Sequence, residues 1–212
     1  MRPPPFVLTA QFSELAREVY AGLRDGRLAP EATFDLACFL MDWAPASPVA
    51  RELAEQSLTG TDPARLAGLA GQVLAESGFQ PDFDTEPRLL TALQDALEAV
   101  RADMRATGLT GEADLSFADD NAHYLQNVFA HFRGSYSYTA GIFPSDAGDR
   151  VNALVAVADD VQDAVMGVAM AAWPVCAGHG LGAHPCEREG QAVWWCNGGS
   201  GHVIALIGGW PG

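Results

Sequence analysis

Lysine is absent from the 212 residues, so all 12 basic residues are arginines. Against 27 acidic residues they leave a formal net charge of −15 at pH 7. A field of this sign repels phosphate backbones and anionic lipid headgroups. We therefore expect a protein that binds neither nucleic acid nor a membrane surface.

Long apolar runs are also missing. The longest, residues 151–175, is interrupted by Asp159, Asp160 and Asp163, which a membrane-spanning helix would have to bury at high cost. The first eight residues carry one arginine before a proline run and no apolar segment of the kind that marks a secretory signal. These features favour a cytoplasmic protein.

Cysteine is scarce and unevenly placed. Of the four cysteines, Cys176, Cys186 and Cys196 fall in the C-terminal quarter, whereas Cys38 stands alone in an apolar helical context. An isolated cysteine of this kind is typical of a small buried hydrophobic side chain. The distribution favours metal ligation in a reducing compartment over a disulfide framework.

The N-terminal half has the periodicity of helices. Apolar residues recur at helical spacing over residues 12–108, with glycine or proline where helices should end. Ser47-Pro48 and Asp62-Pro63 each place a capping side chain before a proline suited to the first helical turn. The pattern predicts an all-α bundle of five short helices as a first domain, residues 1–110.

The second predicted domain, residues 111–212, begins with an aromatic-rich connector. We expect a helix over residues 122–133, a long helix over residues 149–172, and then two strands, residues 193–195 and 203–207, joined as a hairpin. The predicted fold is thus mainly α: a helical bundle, a long helix and a small C-terminal zinc-ribbon-like β-hairpin, α+β overall.

Two pairs of polar residues have helical spacing without the partners that a site needs. His123 and His131 would lie near one face of the predicted helix 122–133, but no cysteine or Glu-x-x-His pattern accompanies them. Asp159 and Asp163, one turn apart, could share a hydrated Mg²⁺, but no second acidic cluster is evident. We interpret the histidines as ordinary and the aspartates as a solvated helix face.

The most informative motif is a set of cysteines and histidines near the C-terminus. Cys176 and His179 have the spacing Cys-x-x-His in a glycine-containing turn, and Cys196 and His202 flank the turn of the predicted hairpin. A knuckle and a hairpin can present two side chains each to one ion. The four residues predict a tetrahedral N2S2 site suited to Zn²⁺.

Two further residues in this region could also ligate a metal. His184 and Cys186 lie between the two pairs, and His184 could take the place of His202. The spacing alone does not choose among these sets.

At these residues the chain resembles a family of uncharacterised proteins of the actinobacterial type. In that family a helix containing Val-Gln precedes a Trp-Pro-x-Cys-x-x-His motif, a His-Pro, a Trp-Trp-Cys or Trp-x-Cys, and an Ile-Gly. The resemblance covers about a quarter of the chain and implies a bacterial source and a zinc-ribbon-like tail, but no reaction. The matching residues here are Val161-Gln162, Trp173-Pro174-Val175-Cys176-Ala177-Gly178-His179, His184-Pro185, Trp194-Trp195-Cys196 and Ile207-Gly208.

Three functions fit these observations. We favour a non-enzymatic, zinc-stabilised adapter whose helical half binds another protein. The alternative is a zinc-dependent hydrolase that uses three of the clustered ligands and leaves one position for water, and whether the protein is an enzyme stays open. A nucleic-acid module is disfavoured by the acidic balance.

A protein partner would most readily contact exposed aromatic side chains. The sequence offers Tyr136 and Tyr138 in the connector and the Trp194-Trp195 strand.

Overall fold

The computed structural model describes residues 10–43, 46–59, 62–117 and 127–212. These residues form a mainly helical α+β fold with two small antiparallel sheets of three strands each. The chain divides into two compact units, an N-terminal unit, Met1–Glu86, and a C-terminal unit, Pro87–Gly212.

The N-terminal unit is helical, as predicted. Ser47 accepts a hydrogen bond from the Ala50 amide at 3.2 Å, and Asp62 accepts one from the Ala64 amide at 2.9 Å, so both predicted caps are confirmed. Apolar side chains from all four helices form its core. The helices are α1 (Ala10–Arg24), α2 (Pro30–Trp43), α3 (Pro48–Thr59) and α4 (Pro63–Ser77).

The C-terminal unit contains the other helices and both sheets. In the first sheet, antiparallel strands follow the order β1-β2-β3, and in the second the order β4-β5-β6. A short 3-10 helix, Pro144–Gly148, precedes α6. The elements are α5 (Arg88–Ala106), β1 (Ala113–Phe117), β2 (Val128–Phe132), β3 (Ser135–Tyr136), α6 (Arg150–Ala169), β4 (His184–Arg188), β5 (Gln191–Cys196) and β6 (His202–Leu206).

A buried carboxylate on α6 joins this helix to the first sheet. Asp160, 3% exposed, accepts hydrogen bonds from the Ala130 amide at 2.5 Å and the Ser137 hydroxyl at 2.9 Å. The Thr139 hydroxyl donates a third. Asp160 is therefore part of the core.

A second buried carboxylate ties the C-terminal residues to α5. Asp103 accepts hydrogen bonds from the Trp194 indole at 2.7 Å, the Gly208 amide at 2.7 Å and the Trp210 amide at 2.8 Å. Trp194 is fully buried, so its predicted role on a partner-binding surface is wrong. Tyr138, in contrast, is 82% exposed.

The structure differs from the sequence prediction at the domain boundary and in the connector. The predicted domain boundary near residue 110 follows α5, whereas the structure assigns α5 to the C-terminal unit, where it packs against α6. The helix predicted over residues 122–133 is wrong at its C-terminal end, which is strand β2. Val128, Ala130 and Phe132 are buried there, and the residues between them are less buried. This alternation is typical of a strand, and the predicted helix did not take it into account. His123 lies outside the described residues.

No helix in the described ranges is long and apolar enough to cross a membrane.

Candidate metal centre

The first half of the site is a tight turn after the end of α6. The Cys176 carbonyl accepts hydrogen bonds from the His179 amide at 3.3 Å and the Gly180 amide at 2.8 Å, and the Cys176 amide donates to the Leu181 carbonyl at 2.8 Å. Gly180 has a φ of 65°, a left-handed conformation that glycine adopts without strain. The turn brings the Cys176 and His179 side chains to the same side of the backbone.

The second half is the β5-β6 hairpin. Cys196 and His202 are directly paired across the two antiparallel strands, so their side chains leave the same face of the sheet. The Gly201 amide donates to the Gly198 carbonyl at 3.0 Å and closes the turn between them. The two predicted strands pair as a hairpin: β5 is longer than the predicted 193–195, and β6 has the predicted length but begins one residue earlier than 203–207.

The two halves meet because the hairpin turn has no side chain at residue 198. A Cβ added to Gly198 would lie only 2.4 Å from the Cγ atom of His179. The imidazole of His179 therefore packs directly on the backbone of the turn. Any larger residue at position 198 would push His179 away from Cys196.

All four predicted ligands come together. The ligand atoms of Cys176, His179, Cys196 and His202 lie within 4.8 Å of one another. The Cys176 Sγ atom is 3.7 Å from His179 Nδ1 and 3.6 Å from His202 Nε2, and Cys196 Sγ is 3.4 Å from His179 Nδ1. With Zn–S bonds of about 2.3 Å and Zn–N bonds of about 2.0 Å, neighbouring S and N ligands of a tetrahedral ion lie about 3.5 Å apart. The three S–N distances are close to this spacing, and the cluster could hold a metal ion.

The surroundings favour the thiolate form of Cys176. Burial raises the pKa of its thiol, but hydrogen bonds from the His179 side chain, the backbone amides of Gly178 and His179, and Cys196 together lower this pKa to about 6. The Gly198 amide donates to Cys196 Sγ at 3.3 Å. Thiolates are the metal-binding form of cysteine, so the lowered pKa of Cys176 favours its binding of a cation.

The two sulfurs are buried while the two imidazoles are exposed. Trp195 covers the hairpin turn, because a Cβ on Gly201 would lie 2.3 Å from its ring. The soft ligands are thus shielded from solvent and the histidines form the outer side of the site.

Other candidate ligands lie outside this cluster. His184 begins β4 with an exposed side chain, and Cys186 is half-buried opposite Val193 in the same sheet. Cys38, on α2, is half-buried, and burial raises the pKa of its thiol. His131 contacts the Tyr136 ring, with a centroid separation of 5.4 Å.

The supporting glycines and amides were not found from the sequence. The Gly178 amide donates a hydrogen bond to the Cys176 sulfur, and the Gly198 amide donates one to the Cys196 sulfur. Gly198 also allows His179 to pack closely. Both glycines occur in glycine-rich stretches that resemble ordinary turns. Their positions could have indicated this role, because each glycine lies two residues after a cysteine of the cluster, where a backbone amide can reach the sulfur.

Comparisons with protein-family models, with curated proteins and with solved structures each found no match to this chain.

Proposed function

We propose that Cys176, His179, Cys196 and His202 hold one Zn²⁺ ion in a zinc-ribbon-like knuckle and hairpin, and that the ion is structural. The observation that carries this proposal is the size and composition of the cluster: two sulfurs and two imidazole nitrogens at tetrahedral spacing. Two thiolates with two imidazoles are a ligand set that zinc occupies in structural sites.

A structural role follows from the number of ligands. Four protein ligands complete a tetrahedral shell, whereas catalytic zinc sites retain three and bind water at the fourth position. The metal would join a loop, Cys176–His179, to the turn of the hairpin, where Cys196 lies 17 residues after His179. A single ion would therefore crosslink the turn to the hairpin.

We further propose that the protein is a non-enzymatic interaction module of the bacterial cytoplasm, of the actinobacterial type that the motif resembles. Large apolar side chains on the surface of the C-terminal unit support this proposal. Tyr138 is 82% exposed and Met170 is 87% exposed. Aromatic residues and methionine are enriched at protein interfaces. The charge of −15 favours a protein partner over nucleic acid.

One observation favours a second candidate, a zinc hydrolase. The imidazoles of His179 and His202 are exposed, so solvent can approach the site from their side. If one histidine left the ion, water could take the open position and act as a nucleophile. The two candidates differ in the number of protein ligands that the bound ion keeps.

Metal analysis of matched variants tests the proposal. Protein purified without chelator should contain about one zinc per chain by elemental analysis, and Cys176→Ser should lose it. Cys186→Ser is the matched control, because Cys186 lies outside the cluster, and it should retain the metal. Zinc-free wild type, or equal loss from both variants, would refute the assignment.

Replacement of zinc by Co²⁺ separates the two candidates. A complete N2S2 shell should give the intense visible bands of tetrahedral cobalt with a thiolate charge-transfer band, and these bands should not respond to added azide or cyanate. A spectrum that changes with such anions would indicate an open position and support the hydrolase.

A further inference from the structure

A cavity of about 470 Å³ lies in the C-terminal unit, separate from the four metal-binding residues. Its walls come from the C-terminal half of α6, the chain between the metal-binding turn and β4, Thr139 and the residue after Cys196. The residues that this argument uses are Asp159, Gln162, Asp163, Met166, Leu181 and His184.

The polar side chains of the cavity have few free donors. Gln162 uses its amide nitrogen to donate to the Trp173 carbonyl at 2.6 Å and the Ala183 carbonyl at 2.6 Å. The Thr139 hydroxyl donates to Asp160. The carboxylates of Asp159 and Asp163 are left as acceptors, beside the His184 ring and the Asn197 amide.

The two carboxylates have no arginine partner within the described ranges. Asp159 and Asp163 lie one helical turn apart. Asp163 accepts one hydrogen bond, from the Tyr138 amide at 2.5 Å. Burial and the charge of Asp163 raise the pKa of Asp159, and His184 partly opposes this. A ligand cation would relieve the repulsion between the carboxylates.

Apolar side chains surround the carboxylates. Met166 is 41% and Leu181 47% exposed, and both line the cavity. The Tyr138 ring packs on Gly167, where an added Cβ would be 3.3 Å from the ring. Met170, one turn beyond Met166, is also exposed. Flexible methionines beside an aromatic ring are suited to a partner's apolar residues.

We propose that this cavity binds an arginine side chain of a partner protein, with the apolar residues that flank the arginine packing on Met166, Met170 and Tyr138. Charge complementarity identifies the occupant, because the cavity combines two carboxylates with apolar walls. Arginine fits better than lysine, since its planar guanidinium can bridge two carboxylates and stack on an aromatic ring. The inference rests on the proposed function, because the wall around Leu181 follows the metal-binding turn directly.

The experiment is an NMR titration of zinc-containing, ¹⁵N-labelled full-length protein. The probe is the peptide acetyl-Ala-Leu-Arg-Leu-Ala-amide, and the control peptide carries citrulline, which has the shape of arginine without its charge. We expect the arginine peptide to bind with a dissociation constant below ~1 mM and to shift the amides of Asp159, Asp163, Leu181 and His184. The citrulline peptide should bind about tenfold more weakly.

Matched variants identify the carboxylates. Asp159→Asn and Asp163→Asn should each weaken binding of the arginine peptide about tenfold. Asp95→Asn, the same change on the exposed surface of α5, should leave binding unchanged. In Asp163→Asn the amide oxygen can still accept from Tyr138, so the local fold is kept.

Several results would overturn the inference: no binding, equal binding of the two peptides, amide shifts away from the cavity, or equal effects of Asp95→Asn and Asp159→Asn. The zinc content of the same sample is measured separately. Zinc with no peptide binding refutes the docking site alone, whereas specific peptide binding by a protein without zinc refutes the metal site alone.

Discussion

Asp160→Ala should destabilise the C-terminal unit by about 3 kcal/mol. The buried carboxylate accepts from the Ala130 amide, the Ser137 hydroxyl and the Thr139 hydroxyl. Without it, the Ala130 amide stays buried and unpaired, at a cost of about 1–3 kcal/mol. The two hydroxyl oxygens lie 3.4 Å apart and can pair with each other, so only one hydroxyl bond, about 1 kcal/mol, is lost there.

Urea unfolding followed by tryptophan fluorescence measures this cost. Four of the five tryptophans belong to the C-terminal unit, so the fluorescence reports mainly on that unit. Asp95→Ala, on the exposed surface of α5, is the control and should change the free energy of unfolding by less than about 0.5 kcal/mol. A cost below about 1 kcal/mol for Asp160→Ala would refute the assigned role of this carboxylate.

Asp160→Asn tests the charge separately. It keeps an acceptor oxygen, and the hydroxyls can rotate to accept from its amide, so we expect a cost near ~1 kcal/mol. Burial raises the pKa of Asp160 in the folded protein, against the opposing effect of its three hydrogen bonds. The folded state therefore holds the proton to higher pH than the unfolded state, and stability falls as pH rises from the ordinary aspartate pKa to the raised one. Asp160→Asn should remove this fall. An unchanged pH profile would contradict the assignment.

Three further predictions concern the metal site and the charge. His202→Ala should lose zinc by elemental analysis while His184→Ala retains it, since His202 alone of the two lies in the cluster; the reverse result would make His184 the fourth ligand. Chelation should leave the far-ultraviolet helical signal nearly intact because no ligand lies on a helix, and loss of most of that signal would show that the helices depend on the metal. Fluorescence anisotropy in ~150 mM salt should detect no binding to DNA or RNA; micromolar affinity would contradict the electrostatic argument.

The sequence was most informative where the physical signal is local. Caps such as Asp62-Pro63 act within one turn, and the helical period of the N-terminal unit is regular, so these helices were predicted correctly. Cys176, His179, Cys196 and His202 were also predicted to cluster, with His184 left open as a replacement for His202, because metal sites restrict both residue type and spacing.

The remaining features depend on contacts between distant residues. Strand β2 has a local signal in the alternation of Val128, Ala130 and Phe132, but its pairing with β1 and the hydrogen bond from the Ala130 amide to Asp160 join residues that are distant in the sequence. Strand β4 begins with His184-Pro185 and lacks an alternating apolar period, so only its pairing with β5 reveals it. That α5 belongs to the C-terminal unit also depends on distant contacts. The residues that donate hydrogen bonds to Asp103 on this helix lie 91 to 107 residues away.

X-ray absorption spectroscopy at the zinc edge tests the metal site most directly. For purified full-length protein the account predicts two sulfur ligands at about 2.3 Å and two nitrogen ligands at about 2.0 Å. A spectrum without zinc, a shell without sulfur, or a shell with an oxygen in place of one imidazole would contradict a structural Cys176, His179, Cys196 and His202 site.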